Sequence, residues 1–348
     1  KMNQAKMNSI FVSRPPLAEQ KRIVARVDAL MALCDKLETE RDARNEKRVA
    51  VQKTALDRLL TAPDQAAFDS AWEFIARNFA DLYSVPENVA ELKKAILQLA
   101  VMGKLVPQDP GDQPASELLK EIEAEKKKLI KAGKIKKQEP LPPIKPEEVP
   151  YALPAGWEWV RLGEISNKIT DGTHHSPPNA DVGQYKYITA KNIKNDGIDF
   201  SSITFVTEDV HREIYNRCNP EKGDILYIKD GATTGVVTIN DLEEEFSMLS
   251  SVALIKLPQG VLHTFLIKVM RSPLFYESIR NDMSGVAITR VTLSKIYSVL
   301  IPLPPLAEQK RIVAKVDAIM TLCDALEQQL KDATDKQTAI LNAVVAAM

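Results

Sequence analysis

Apolar residues recur four and three apart along two long stretches of this chain. Ile23, Val27, Leu30, Cys34 and Leu37 form the first run, and Ile312, Val316, Ile319, Cys323 and Leu326 the second. The second continues through Leu330, Ala333, Ile340, Val344 and Ala347, interrupted at Gln337. The first loses its seam at Arg41, Arg44 and Arg48, then regains apolar character at Val51, Ala55 and Leu59. An average spacing of about 3.5 residues predicts long helices packed as in a coiled coil. Each run opens on a Pro-Pro pair, which suits a first helical turn because proline pre-sets φ and lacks the amide that would be orphaned there. Glu19 and Glu308 then place negative charge at the positive helix end.

The two runs are copies. PPLAEQKRIVARVDALMALCDKLE at residues 15–38 returns as PPLAEQKRIVAKVDAIMTLCDALE at residues 304–327, an offset of 289, with only Arg26/Lys315, Leu30/Ile319, Ala32/Thr321 and Lys36/Ala325 differing. Solenoid repeats recur every 20–50 residues or so. A spacing this wide points instead to two equivalent halves about an approximate two-fold axis. The seams of the two copies are then expected to pair, with the helices antiparallel. At 1.5 Å per residue, a helix from residue 305 to 348 spans roughly 66 Å, on the order of two turns of DNA. The spacing is equally that of an ordinary core or dimer interface; the duplication favours a spacer between equivalent modules.

Between the copies the texture changes twice. Residues 63–137 read as a helical central region: 65–82, 87–101 ending at Gly103, and a charged helix that Ser116 can cap. Lysines 126–128, 131, 134, 136 and 137 resemble a phosphate-binding strip, but Glu121, Glu123 and Glu125 lie beside them, which favours a solvated face. Residues 138–154 contain six prolines and read as a stiff extended linker. From 155 to 303, short β-rich runs (157–162, 185–189, 203–207, 224–228, 235–239, 252–257) alternate with turn residues, with one helix over 263–281. The expected fold class is α+β: one mixed helix–strand domain with a curled antiparallel sheet, a helical central region, and two long antiparallel coiled-coil-like helices over 15–62 and 304–348. At the same offset of 289, residues 1–14 overlie 290–303, sharing Lys6/Lys295 and Ser9/Ser298. They are expected to be the tail of a second such domain.

Charged residues make up 27% of the chain and the net charge is −1, so any basic surface must be local. Cys34, Cys218 and Cys323 lack CxxC spacing, which suggests thiols used as small apolar residues in a reducing compartment. No apolar stretch approaches 18 residues, and a soluble, cytoplasmic protein without membrane contact is expected.

Catalytic signatures are missing from the sequence: no GxxxxGK[ST] phosphate loop, no GxGxxG after a strand, no GxSxG elbow. His174-His175 lacks the i,i+4 spacing of a zinc helix, so no metal is expected; a polar-loop role and nucleic-acid contact both stay open. Asp230 sits in a glycine-rich turn, with no carboxylate–lysine cluster of a nuclease evident. Polar loops are the remaining candidates. They supply Lys168, Thr170, Thr173, His174 and His175; Lys191, Asn192, Lys194 and Asn195; Lys229, Thr233 and Thr234; and Ser284, Thr289 and Arg290. These residue types read base edges and grip phosphates. Singly each loop is an ordinary turn; together they favour double-stranded DNA.

The chain resembles the specificity subunits of Type I restriction–modification enzymes, in the branch with an extended helical centre. The motifs are PPLAEQKRIVA-R/K-VD at both ends, LKKAILQLAVMGKLVPQDPGDQPASELL at 92–119, LPAGWEWVRLGEI at 153–165, and DGTHHSPP, ITAKNI and KGDILYIKDGATTG within 155–303. The resemblance implies a non-catalytic subunit with inverted target-recognition domains, of which 155–303 is one and the first is missing. Each reads half of a split DNA site while the paired helices set the gap. It implies no cofactor in this chain, S-adenosylmethionine and adenine methylation in docked modification subunits, and a restriction subunit that joins them. A homodimer of the chain through its helices is a further expectation. The rivals are a coiled-coil protein scaffold without DNA reading and a stand-alone nuclease.

Overall fold

A computed structural model describes residues 14–280 and 290–347. The chain forms two compact units, Lys1–Ser84 and Val85–Met348. That break lies inside the central region 63–137, so its helices divide between the units. The expected tail over 1–14 lies almost wholly outside the described residues.

In the first unit, α1 (Leu17–Leu60) begins after Pro16, whose backbone is extended (φ −53°, ψ 148°), with Glu19 in its first turn and Arg58 in its last. Asp64 caps α2 (Gln65–Arg77) by accepting from the Ala67 amide at 2.8 Å. The single helix expected over 65–82 breaks at Asn78 and resumes as the short α3 (Phe79–Leu82). Only the C-terminal end of α1 has a buried face, through Gln52, Ala55, Leu56 and Leu59. Ile23, Val27, Leu30, Cys34 and Leu37 are exposed.

The second unit opens with α4 (Pro86–Val101), started by proline, and α5 (Ala115–Lys131). Pro114 rather than Ser116 precedes α5, leaving Ser116 in the first turn. The strands and helices that follow are β1 (Glu158–Arg161), β2 (Lys168–Asp171), β3 (Tyr185–Ile188), β4 (Ile193–Lys194), β5 (Gly197–Ile198), β6 (Thr204–Val206), α6 (Glu208–Arg217), β7 (Ile225–Ile228), β8 (Val237–Ile239), β9 (Ser247–Met248), β10 (Val252–Lys256), α7 (His263–Met270), α8 (Pro273–Arg280), α9 (Leu293–Ser298), β11 (Leu300–Leu303) and α10 (Leu306–Ala347). The helix expected over 263–281 is interrupted at Arg271-Ser272, because the residue before Pro273 is pushed out of the helical region. Helix α6 and strand β2 were not expected.

Sheet order explains the apolar runs. β7 and β10 are the inner strands of an antiparallel sheet ordered β2-β10-β7-β8. Ile225, Tyr227, Ala253 and Ile255 face a core shared with the helices; Leu226, Ile228, Val252 and Leu254 face a second core with Ile188, Phe246 and Met248. Strands covered on both faces read as continuous apolar sequence, as ILYI and VALI do. The second sheet, β6-β3-β9, contains a parallel pair, β3 with β9, where only antiparallel strands were expected.

The second copy of the repeat is built into this unit. Ile312, Val316 and Cys323 of α10 are buried, Ile312 and Val316 in the helix-faced core; Ile319 and Leu326 are half-buried. Helix α10 packs on α4 and α7: Lys93 pairs with Asp324 and Glu327, each at 2.6 Å, and Lys268 with Asp317. The seam thus has a partner in its own unit that heptad spacing could not name. The PPLAEQ motif is a latch. Glu308, 1% exposed, accepts from Trp157 Nε1 at 2.9 Å and Gln108 Nε2 at 3.0 Å. Buried Gln309 accepts from the Leu262 amide and donates to the Pro304 carbonyl. The proline-rich segment is pinned rather than free, since buried Arg161 donates to the carbonyls of Pro142 and Pro143 and pairs with Glu148. Burial pushes the thiols of Cys218 (to about 12) and Cys323 upward. No helix among the described residues is long and apolar enough to cross a membrane.

Candidate nucleic-acid interface

Three polar segments far apart in sequence meet at the turn 249–251 between β9 and β10, and Arg290 and Val291, from a fourth, join the third. The first follows β2: the Thr173 amide donates to Met248 O (2.9 Å), and the Ser250 amide to Thr173 O (2.8 Å). Gly172 is required by this approach, since a Cβ there would lie 1.8 Å from Met248 O. The second follows β3, with Leu249 N donating to Ile188 O and Ala190 N to Ser251 Oγ. The third follows β7 through Lys229 N to Ser251 O at 2.9 Å. The fourth joins it, with Val291 N donating to Lys229 O and Arg290 bridging Asp230.

An ion network crosses the same place. Asp171, at the end of β2, is 1% exposed. Its Oδ1 accepts from Arg217 Nη2 at 2.6 Å, and its Oδ2 lies 3.5 Å from Lys229 Nζ. Lys229 also donates to Asp230 Oδ2 at 2.8 Å, and Arg290 Nε lies 3.6 Å from Asp230 Oδ1. Arg217 donates a second bond from Nη2, to His174 Nε2. A guanidinium can only donate, so that ring nitrogen is the acceptor. Three cations face two carboxylates, which leaves the cluster positive. A buried charge survives only when paired, and Lys229 is paired twice.

Lys229 is therefore corrected from a DNA contact to an internal strut: at 2% exposure its ammonium cannot reach a phosphate. Asn192, also buried, closes its own loop by accepting from Thr189 and donating to Asp199 O. Thr173 and Thr234 are buried, donating to the carbonyls of His175 and Gly231. Lys168 starts β2, opposite the end that carries Asp171, and donates to Asn219 Oδ1; burial, then neighbouring Lys256, lowers its pKa. Thr170 is half-buried within the strand. Lys194 and Asn195 belong to the β4–β5 hairpin beside β8, and Arg271 grips the Asn195 carbonyl. His174, His175, Lys191, Thr233 and Arg290 are exposed on the converging segments. Ser284 and Thr289 lie outside the described residues. Lys127 and Lys128 of α5 are exposed, as the solvated reading expects, and Lys127 pairs with Glu123; Lys126 departs from it, donating to the Gly163 carbonyl, with burial lowering its pKa. Sequence reading missed Arg217, Asp171 and Ser251.

A family model described as Type I restriction modification DNA specificity domain matches residues 154–334. The chain is 35% identical over 339 residues to the Type I restriction enzyme EcoAI specificity subunit of Escherichia coli, covering 96% of this chain and 57% of that protein. To the EcoEI specificity subunit, also of Escherichia coli, it is 31% identical over 350 residues with the same shares. A chain from a structure described as the basis of complex assembly and conformational transition of the type I R-M system matches with a TM-score of 0.51. At 20% identity, over 95% of this chain and 59% of that one, it is a likeness of fold. The chain spans a little over half the length of these relatives. All four segments fall within the matched residues, and the chain belongs to the family of Type I restriction modification DNA specificity domains.

Proposed function

We propose that this chain reads one half of a split double-stranded DNA site within a Type I restriction–modification complex. Its long helices set the gap between half-sites and dock modification subunits, which bind S-adenosylmethionine and methylate adenine; a restriction subunit joins the same assembly. Chemistry then belongs to the partners and addressing to this chain. The observation that carries the reading is the convergence of three polar segments on the turn 249–251, joined by Arg290 through Asp230, with His174, His175, Lys191, Thr233 and Arg290 exposed and a positive cluster beneath. Phosphate contacts fix register and base contacts specify, and both need exposed polar side chains on a rigid frame. Selection from a random-sequence duplex pool, with and without modification subunits, tests it. One enriched short word supports the reading. No word in either arm refutes it in favour of a protein scaffold, and cleavage by the chain alone would point to a nuclease.

The first copy of the repeat supports a second partner of its own kind. Ile23, Val27, Leu30, Cys34 and Leu37 are exposed there, although the matching residues of the second copy are buried or half-buried. A homodimer in which two chains cover these seams would present two copies of the domain and favour a palindromic split site. Light scattering across concentrations checks this, and a persistent monomer counts against it.

A further inference from the structure

We infer that Arg217 is a specificity-determining residue that reads an acceptor-rich base edge, that of a guanine, and that Asp171 is the positioning residue that aims it. The inference rests on the reading of the converging segments as a DNA interface.

Arg217 ends α6, outside the four polar loops, yet its guanidinium reaches into their centre. Nη2 donates to both Asp171 Oδ1 and His174 Nε2, each at 2.6 Å. Asp171 is itself immobile. Its side chain is 2% exposed, it lies in register with Ala253 of β10, and its other oxygen faces buried Lys229. Nε and Nη1 carry the remaining donors of Arg217, with no described partner, and the side chain is 50% exposed. The anchored half is held against a buried carboxylate and the free half is open.

Rigidity separates a base reader from a phosphate grip. A phosphate offers charge in every direction, and a mobile cation on a long stem satisfies it. A base edge offers acceptors at fixed points, so a donor held in place loses less entropy on engaging it. Guanine presents N7 and O6 as neighbouring acceptors in the major groove, the usual partner of arginine. The other cations of the cluster fit the role less well. Lys229 is buried, and Arg290 is 65% exposed with only a 3.6 Å approach to Asp230. Arg212, on the same helix, pairs with Glu208 at the surface.

The test compares the words that this chain and its Arg217→Lys and Arg217→Gln variants enrich from a random duplex pool. Arg217→Lys keeps the charge and loses the fixed planar donors. Both variants are expected to lose a guanine preference at one position only, by about 5-fold to 100-fold, with the rest of the word and the slope of log affinity against log salt unchanged for the lysine. Asp171→Asn should relax that same position and no other; should it fail to fold, the Arg217 pair decides alone. An unchanged word in both variants overturns the inference. So does a uniform loss across all words in Arg217→Gln with the salt slope shallower by about one unit, the mark of a phosphate contact. A wild-type chain that enriches no word sinks the underlying reading instead, which keeps the two failures distinct.

Discussion

Replacing Glu308 with alanine should destabilise the second unit by about 2–3 kcal/mol, whereas the same change at Glu19 should leave stability where it is. The two residues occupy one position of a near-identical motif, so each controls for the other. Glu308 is 1% exposed and accepts from the indole N–H of Trp157, itself 5% exposed. Removing the carboxylate strands that donor, and a hydrogen bond to a charged partner contributes roughly 1.5–3 kcal/mol. Gln108 adds little, because its amide also donates to Gly103 O at 2.8 Å. Glu308→Gln retains an oxygen for the indole and should cost about 1 kcal/mol. Glu19 is exposed, and surface substitutions of this kind rarely matter. The assay is equilibrium urea unfolding followed by tryptophan emission in a Trp72→Phe background, so that Trp157 and Trp159 report on the second unit alone. With a slope of about 2–3 kcal/mol per molar, the midpoint should fall by about 1 M for Glu308→Ala. Equal shifts at both positions, or no shift at Glu308, would refute the latch.

The same reasoning applies elsewhere. Lys229→Met should leave buried Asp171 with Arg217 alone and Asp230 with only the 3.6 Å approach of Arg290, costing about 3 kcal/mol in thermal or urea unfolding; a fold of unchanged stability would contradict the strut. Gly172→Ala should destabilise and expose the loops to protease, because its Cβ would collide with the Met248 carbonyl; limited proteolysis with a wild-type pattern would argue otherwise. Lys191→Ala, on an exposed loop, should weaken DNA binding uniformly and flatten the salt slope by about 0.9 without altering the fold. Burial lowers the pKa of His263 below its ordinary 6.5, so the folded chain holds it neutral. The unfolded chain takes the proton first. Stability from this group is therefore full above pH 6.5 and is lost as pH falls toward the folded value. The melting temperature should drop between pH 7 and 5, and His263→Asn should flatten that drop; a variant with an unaltered slope would exclude the histidine.

What could be read from sequence was what repeats or alternates. The two long helices declared themselves by heptad spacing and proline starts, and the doubly covered strands by apolar runs such as ILYI. Contacts between distant segments were invisible. Nothing in Lys229 distinguishes a buried strut from an exposed cation, because its burial depends on Asp171, 58 residues away and read as part of a loop. Arg217 escaped because the pattern of a short charged helix gives no hint that its last residue meets another loop. The convergence at 249–251 is a product of strand order, with β9 parallel to β3 and β10 beside both β7 and β2. Only topology brings those loop ends together.

The latch at Glu308 and Gln309 has a consequence for how such chains diversify. Beyond an apolar seat for Ile312 and Val316, what the long helix asks of the body beneath it is short: an indole at Trp157, a main-chain amide at Leu262, and the lysine at 268. None of these three belongs to the segments that meet at the turn 249–251. A replacement body with different loops can therefore plug into the same socket if it preserves these three fittings and the apolar seat of Ile312 and Val316; on the proposed function, a new address is then acquired without rebuilding the rod that carries it.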